Sequence, residues 1–205
     1  MADTSRFALE TLESRTLLTT LPSGFIESLV ATGLDHPTAM DFAPDGRIFA
    51  TEQTGALRVI EAGVTLPTPA IRLDVSSAGE RGLLGVVLDP DFADNHFLYV
   101  YYTASKPVIH NRVSRFTMTG DVADPASEVV LLDLPALKAT IHNAGDLHFG
   151  IDGKLYVSVG ENSVEADAQS LAQSADAIVG LRCQHGHRLI ASDHRDRIAV
   201  VGSSM

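Results

Sequence analysis

The 205-residue chain has few cysteines and few basic residues. Its one cysteine, Cys183, can form no disulfide within the chain, so cysteine usage does not indicate the redox compartment. No run of apolar residues is long enough for a transmembrane helix. Only 15 Lys and Arg stand against 26 Asp and Glu, giving a formal net charge of −11. The lack of a basic excess argues against nucleic acid as a partner.

The composition is that of a folded globular protein. Hydrophobic residues make up 45% of the chain, charged residues 20% and aromatic residues 6%. A domain of this length can bury about 70% of its unfolded surface. The acidic balance suits a protein that binds a cation or a neutral substrate, and composition does not choose between the two.

Residues 1–23 differ from the rest and are predicted to form an export-like or mobile segment. They lack the apolar stretch of an ordinary secretory signal. The stretch Leu9–Leu18, LETLESRTLL, resembles a short LE-x-LE-x-R-x-LL element at the front of many exported bacterial proteins. An amphipathic first helix is the alternative. The resemblance predicts an extracellular or periplasmic location.

From residue 24 onward, short β-branched and aromatic runs alternate with Asp-Gly, Pro and Gly, which predicts strands joined by tight turns and almost no helix. The spacing of the runs indicates an all-β sandwich, barrel or propeller. The predicted strands are Phe25–Ala31, Thr38–Phe42, Arg47–Thr51, Leu57–Glu61, Ile71–Val75, Leu83–Leu88, Phe97–Thr103, Arg112–Met118, Val129–Leu132, Gly145–Phe149 and Leu155–Val159.

An internal repeat favours the propeller. Met40–Thr51 aligns with Leu147–Ser158, and both predict a hairpin with Asp-Gly as a two-residue primed turn. Val87–Val100 is a looser third copy with a longer loop. The copies start about 46 and 61 residues apart, a spacing typical of four-stranded antiparallel blades with insertions. Residues 24–173 therefore predict about three blades of an incomplete propeller domain.

Two segments contain candidate functional residues. His142 lies at a strand entrance and Glu161 at the end of the next strand, so a hairpin would bring a general base and an orienting acid together. A surface histidine in a turn is the alternative. Glu80 and Arg81 lie between glycines directly before an apolar strand, which predicts a loop at the rim of the propeller. A solvated ion pair of little energy is the alternative there.

Four segments carry a family resemblance. They are GERGLLGVVLDPDFADNHFLYVYYT (79–103), HNRVSRF (110–116), DPASEVVLLDLP (124–135) and HNAGDLHFGIDGKLYVSVGEN (142–162). In this order they resemble the soluble glucose/sorbosone dehydrogenase family. Its members are six-bladed propellers that oxidise sugars with pyrroloquinoline quinone (PQQ) and calcium. The resemblance covers residues 25–173, less than half of a family domain.

The resemblance implies roles for the candidate residues. His142 matches the catalytic base, and Glu161 takes the place of an Asp that supports the base. Glu80 stands where well-studied members have Gln beside the cofactor, which implies that Glu80 and Arg81 bind the cofactor, although Glu-Arg occurs in the wider family. Ile141 replaces an acidic residue found in some members. PQQ and calcium are the implied cofactors, a sugar the substrate, and an external electron acceptor the partner; most family ligands of both cofactors come from later blades.

Residues 174–205 have another composition and are predicted to form an atypical tail. Family members continue into a Gly-Lys-x-Leu-Arg-x-Asn strand, whereas this chain has Gly180-Leu-Arg-Cys-Gln184. We hypothesise that a frameshift or an early stop replaced the remainder of the family domain. The tail contains several metal-ligating residue types, but no second ligand pair has the spacing of a structural site, so no metal site is predicted. These residues are Cys183, His185, His187 and His194.

The sequence thus favours a PQQ-dependent oxidoreductase. His142 would take a proton from a sugar hydroxyl while hydride passes to the quinone, and the chain alone is expected to be incomplete and inactive. The alternative is an extracellular propeller that binds carbohydrate or protein without redox chemistry. An inert fragment with exposed blade edges is the third hypothesis.

Overall fold

The computed structural model describes residues 21–161, 163, 178–182 and 198–201. The chain divides into two units, residues 1–30 and 31–205. In the first unit the described residues, 21–30, contain no helix or strand. The described part of the second unit contains fourteen strands, one short α-helix and a 3-10 turn. No helix in the described ranges has the length and apolarity to cross a membrane.

The elements of the second unit follow one another closely along the chain. They are β1 (Pro37–Phe42), β2 (Ile48–Glu52), β3 (Ala56–Glu61), β4 (Val64–Thr65), β5 (Ile71–Arg72), β6 (Leu83–Leu88), α1 (Phe92–Asn95), β7 (Phe97–Ala104), β8 (His110–Thr119), β9 (Val122–Ala123), the 3-10 turn Pro125–Ser127, β10 (Val129–Ala136), β11 (Ala144–Phe149), β12 (Lys154–Val159), β13 (Ile178–Arg182) and β14 (Ile198–Val201).

The strands form three sheets in chain order. The first has the order β1-β2-β3-β4, with β5 also on β3; the second has the order β6-β7-β8-β10, with β9 also on β8. The third has the order β11-β12-β13-β14. Neighbouring strands are antiparallel except β13 and β14, which pair in parallel. The predicted all-β class and the three blade-like sheets are confirmed, but the third sheet is not antiparallel throughout.

Two apolar clusters hold the sheets together. Strand β7 belongs to both, since alternate side chains of a strand point to opposite faces. Leu98, Val100 and Tyr102 pack in the cluster with the first sheet, and Tyr99 and Tyr101 pack in the cluster with the third. Each fully buried large apolar side chain contributes about 1.5–3 kcal/mol. The second sheet is therefore sandwiched between the other two.

The aligned hairpins share one turn geometry, which differs from the predicted one. The Gly46 N–H donates to the Ala43 carbonyl (3.0 Å), and the Gly153 N–H donates to the Gly150 carbonyl (2.9 Å). Each glycine thus ends a four-residue turn with a φ of 93° or 72°, in the left-handed region that glycine adopts without strain. The predicted hairpins are confirmed. The predicted two-residue primed turn is wrong, because Asp-Gly occupies the last two positions of a longer turn.

Two strand predictions need correction. The segment Phe25–Ala31 forms no strand, and Phe25, Ile26 and Leu29 are largely exposed. Strand propensity alone cannot satisfy the backbone groups of an extended segment, which needs a paired neighbour. The predicted strand Ile71–Val75 ends at Arg72, because the chain leaves the first sheet there and bridges to the second sheet at Val75.

The tail also departs from expectation. Strand β13 lies in residues 174–205, where no strand was predicted, and it pairs with β12 in continuous register from Ser158↔Ile178 to Lys154↔Arg182. An open strand edge can pair with a short apolar segment whatever the surrounding composition. The frameshift hypothesis stays a prediction. Cys183, His185, His187 and His194 of the tail lie outside the described residues, as do residues 1–20 of the export-like segment.

A charged cluster joins β8 to β10 and makes stability depend on pH. Asp133 accepts hydrogen bonds from Arg112 Nε (2.6 Å) and Nη2 (3.0 Å) and from His110 Nε2 (3.0 Å). Partial burial raises the pKa of the Asp133 carboxyl, but the hydrogen bonds from Arg112 and His110 outweigh it and lower the pKa overall. A carboxyl whose folded pKa is lowered stabilises the fold above its unfolded pKa, and that contribution is lost as the pH falls through the folded pKa.

Asp133→Asn is therefore expected to lower the free energy of unfolding at pH 7 by about 0.5–1 kcal/mol. The difference from the wild type should shrink as the pH falls and vanish once Asp133 is protonated. Denaturant unfolding over a pH series measures it. The matched control is Asp146→Asn, at an exposed carboxylate of β11, which should change little at any pH. A constant difference at all pH values would contradict the assignment.

Candidate functional site

The candidate residues lie where three strands of the second and third sheets begin or end. His142 precedes β11 and Glu161 follows β12, and the pairing of Ala144 with Val159 places both at the same end of the hairpin. Glu80 lies in the loop before β6, which contacts β11. One rim of the stacked sheets therefore carries side chains from both candidate segments.

The structure brings His142 and Glu161 into direct contact. His142 Nδ1 is hydrogen-bonded to Glu161 Oε1. A carboxylate only accepts hydrogen bonds, so Nδ1 carries the proton and Nε2 keeps its lone pair in the neutral ring. The His142 side chain is 49% exposed, whereas that of Glu161 is 14% exposed. The arrangement leaves a basic nitrogen on an accessible ring that is oriented from behind by a carboxylate.

Glu80 contacts the loop that carries His142. Its Oε2 accepts a hydrogen bond from the His142 backbone N–H (2.5 Å), and its own backbone N–H donates to the Thr140 carbonyl (2.7 Å). Side chain and backbone of Glu80 thus hold two nearby positions of the loop, His142 and Thr140. We call residues 139–143 the base loop. Glu80 fixes it against the second sheet.

Arg81 holds the same loop one position earlier. Its side chain is buried, and Nε (3.1 Å) and Nη2 (2.6 Å) both donate to the Ala139 carbonyl. Gln53, at the end of β2, supports Arg81 from the first sheet through Nε2, which donates to the carbonyls of Gly79 (2.6 Å) and Arg81 (2.9 Å). Glu80 and Arg81 are therefore joined to the base loop rather than to each other as a solvated pair.

The backbone of the base loop and of the first residue of β11 is unusual. His142 has a φ of 59° and Ala144 a φ of 52°. Residues with a Cβ are uncommon in this left-handed region, at a cost of about 1–2 kcal/mol each. Such conformations persist only where surrounding contacts enforce them, and they cluster at functional sites. The contacts of Glu80 and Arg81 provide that enforcement.

The described residues offer a base but no metal centre. Within these ranges no group of three or more His, Cys, Asp or Glu side chains is arranged to hold a metal ion. His142 and Glu161 form a pair without a third ligand. The chemistry that the described rim supports is proton transfer at His142 Nε2.

Sequence reasoning missed three polar residues of the rim. Gln53 supports the 79–82 loop, Asn143 is the buried last residue of the base loop, and Asn111 is buried beside it. Asn111 and Asn143 belong to two of the segments that carry the family resemblance, and Asn143 directly follows the predicted base. That adjacency is the one signal by which the sequence could have indicated Asn143.

Fold and rim together define a class: an all-β propeller-type protein with a histidine oriented by a carboxylate at the rim of its stacked sheets. The family model described as Glucose / Sorbosone dehydrogenase matches residues 34–193. That range includes both candidate segments and extends beyond residue 173. The chain belongs to the glucose/sorbosone dehydrogenase family, a sugar dehydrogenase family of PQQ-type oxidoreductases.

Individual proteins agree with this assignment. The chain is 34% identical over 158 residues to the aldose sugar dehydrogenase YliI of Escherichia coli K12, covering 74% of this chain and 42% of that protein. The PQQ-bound aldose sugar dehydrogenase of Streptomyces coelicolor is similar in structure, with a TM-score of 0.66, 26% identity, and coverage of 76% of this chain and 47% of that one.

A relative with a different kind of name is also similar. The chain is 28% identical over 157 residues to the mouse Hedgehog-interacting protein, covering 67% of this chain and 22% of that protein. The chain thus spans less than half of the length of each of these three relatives. Activity, substrate and partners of the whole protein therefore belong to the next subsection.

Proposed function

We propose that the protein oxidises a sugar hydroxyl with PQQ as cofactor and His142 as general base. The observation that carries the proposal is the contact between His142 Nδ1 and Glu161, which leaves Nε2 free on a half-exposed ring. It lies within residues 34–193, which match a sugar dehydrogenase family. Because the chain spans less than half of its relatives' length, the activity is proposed for the complete gene product.

In this proposal the residues of the rim move one proton. His142 Nε2 accepts the hydroxyl proton of the sugar as the O–H bond breaks and the C=O bond forms. Glu161 stabilises the imidazolium through Nδ1–H and keeps the ring in one orientation. When bound, PQQ would supply the acceptor for the hydride released from the carbon that carries this hydroxyl. Glu80 and Arg81 hold the base loop still during the transfer.

The described residues can accept a proton from the substrate, but they offer few unpaired cations for the carboxylates of PQQ. PQQ carries carboxylates, which need cations or N–H donors. Arg81 donates to the Ala139 carbonyl, and Arg112 and Lys106 pair with aspartates. We therefore propose that the cofactor's carboxylates, and calcium, are bound by residues outside the described ranges. Direct contact of Glu80 and Arg81 with the cofactor stays a prediction of the resemblance.

The proposal also includes an electron acceptor and a cellular location. An external electron acceptor is proposed to reoxidise the cofactor, as dehydrogenation requires one. An extracellular or periplasmic location is proposed from the resemblance of Leu9–Leu18 to an export-associated element. Neither depends on the geometry of the rim.

The test measures cofactor binding and turnover separately. PQQ is titrated into the complete gene product with calcium and with a chelator, and binding is followed by the quinone absorbance. Reduction of an artificial dye is then measured with a panel of aldoses. Sugar-dependent dye reduction that requires both PQQ and calcium is the expected result. Bound PQQ without dye reduction by any aldose, or no PQQ binding by a folded protein, would overturn the proposal.

A binding module without redox chemistry is the second candidate. The observation that favours it is the similarity to the Hedgehog-interacting protein, a protein whose name denotes an interaction. A folded protein that binds no PQQ but retains carbohydrate or a protein ligand would support this candidate. A cooperative thermal melt of that protein would also argue against an inert fragment.

A further inference from the structure

A buried polar chain runs from the second sheet to the base loop. The Gly82 N–H donates to Thr103 Oγ1 (3.3 Å), and Thr103 Oγ1 donates to Asn111 Oδ1 (2.8 Å). Asn111 Nδ2 then donates to Asn143 Oδ1 (3.2 Å). Thr103, Asn111 and Asn143 are 0%, 2% and 1% exposed. The chain therefore lies out of contact with water.

The donors and acceptors of this chain follow one another in one direction. A backbone N–H only donates, so Thr103 Oγ1 accepts from Gly82 and directs its own proton to Asn111 Oδ1. The Asn111 amide is thereby oriented with Nδ2 toward Asn143. Asn143 Oδ1 accepts this bond, and its Nδ2 has no partner within the described part of the chain. With Asn111 oriented in this way, flipping the Asn143 amide alone would place its Nδ2 against Asn111 Nδ2 and break the hydrogen bond.

The neighbour of Asn143 in sequence is the proposed base. The Asn143 backbone is held as well, because the Tyr101 hydroxyl donates to its carbonyl (3.0 Å). Leaving a buried amide without its partner costs about 1–3 kcal/mol. Side chain and backbone of Asn143 are thus both bound to the second sheet, one residue after the left-handed position of His142.

We propose that Asn111 and Asn143 are positioning residues that set the location of His142, an inference that rests on the proposed function. Arg81 and Glu80 hold the base loop from its first residues up to the His142 N–H, and Asn111 and Tyr101 hold it directly after His142. His142 is the one residue between these two sets of anchors whose ring projects to an accessible surface. The buried chain therefore determines where the base meets its substrate.

A purely stabilising role makes a different prediction. Removing one partner of a buried hydrogen bond would then cost about 1–3 kcal/mol of unfolding free energy and leave the surroundings of His142 unchanged. Directional bonds, in contrast, hold one geometry, and a misplacement of about 1 Å can cost about 100-fold in rate. The two roles are therefore separated by how the His142 environment and the unfolding free energy respond to the same substitution.

The test uses Asn111→Leu, with Thr103→Val as a milder variant that keeps shape and removes only the hydroxyl. Ser114→Ala is the matched control, since Ser114 is also buried on β8 but donates to Glu128 Oε1 (2.7 Å), away from the base loop. Hydrogen exchange of the His142 amide and the NMR signal of its Nδ1 proton are measured without cofactor or sugar. Unfolding free energies are measured in parallel.

Both variants of the buried chain are expected to raise exchange of the His142 amide by about tenfold or more and to broaden the Nδ1 signal, while Ser114→Ala leaves both unchanged. The expected kcat is about tenfold lower, with a small change in KM. Unchanged His142 signals in Thr103→Val and in a folded Asn111→Leu would overturn the inference. Because the NMR readouts need no turnover, absence of sugar oxidation would overturn the proposed function alone.

Discussion

Replacing His142 with glutamine is expected to lower kcat for sugar oxidation by about 10²- to 10⁴-fold, the range that general base catalysis contributes. Glutamine can still donate a hydrogen bond to Glu161, but its amide has no basic nitrogen to accept the hydroxyl proton. Steady-state dye reduction at saturating sugar measures the rate. PQQ affinity, measured by absorbance titration, should stay near the wild-type value, because the rest of the rim is kept.

His148→Gln is the matched control for this variant. His148 is an exposed residue of β11, six positions after His142 in the same sequence segment, and within the described residues the hydrogen bond to Glu161 comes from His142. Its replacement should leave kcat unchanged. That result would show that losing a histidine elsewhere in this segment does not by itself lower kcat. Wild-type turnover in His142→Gln, with quinone bound, would remove His142 as the base and leave Glu161 without a catalytic role.

The sequence could predict the hairpins because their signal is local. Strand β6 has the predicted bounds Leu83–Leu88, and the repeat of Met40–Thr51 in Leu147–Ser158 correctly indicated two matching hairpins. Alternating apolar residues and an Asp-Gly turn depend on neighbours a few positions away. The segment Phe25–Ala31 has the same local signal and is no strand, since pairing depends on residues far along the chain.

In the candidate site, too, only the contact within one hairpin could be predicted from the sequence. His142 and Glu161 flank the two strands of one hairpin at its open end, so their contact follows from its register. The hydrogen bond between Asn111 and Asn143 spans 32 residues and two sheets. No spacing rule joins such residues, and an asparagine in a polar segment resembles any turn residue until its burial is known. The positioning part of the site therefore required the three-dimensional structure.

Gly160, whose backbone contacts the base loop from the third sheet, is the site of the second substitution with a large expected effect. Gly160 lies between β12 and Glu161, and a Cβ there would collide with the His142 carbonyl oxygen and lie 2.6 Å from its carbonyl carbon. Both neighbours are backbone atoms, so no side-chain rotation can relieve the collision. The loop held by Glu80 and Arg81 on one side leaves no room for a methyl group on the other.

Gly160→Ala is therefore expected to lower the free energy of unfolding by about 1–3 kcal/mol and to lower kcat by about 10- to 100-fold through displacement of His142. Gly120→Ala is the control: its Cβ would meet nothing within 4 Å, but its φ of 60° makes alanine cost about 1 kcal/mol. It should lose stability and keep its rate. Since Gly160 has no group that could take part in chemistry, a rate loss there beyond that of Gly120→Ala measures how strictly the position of His142 must be kept. Equal rates in the two variants would show that the base tolerates displacement, and the contacts of the base loop would then serve stability alone.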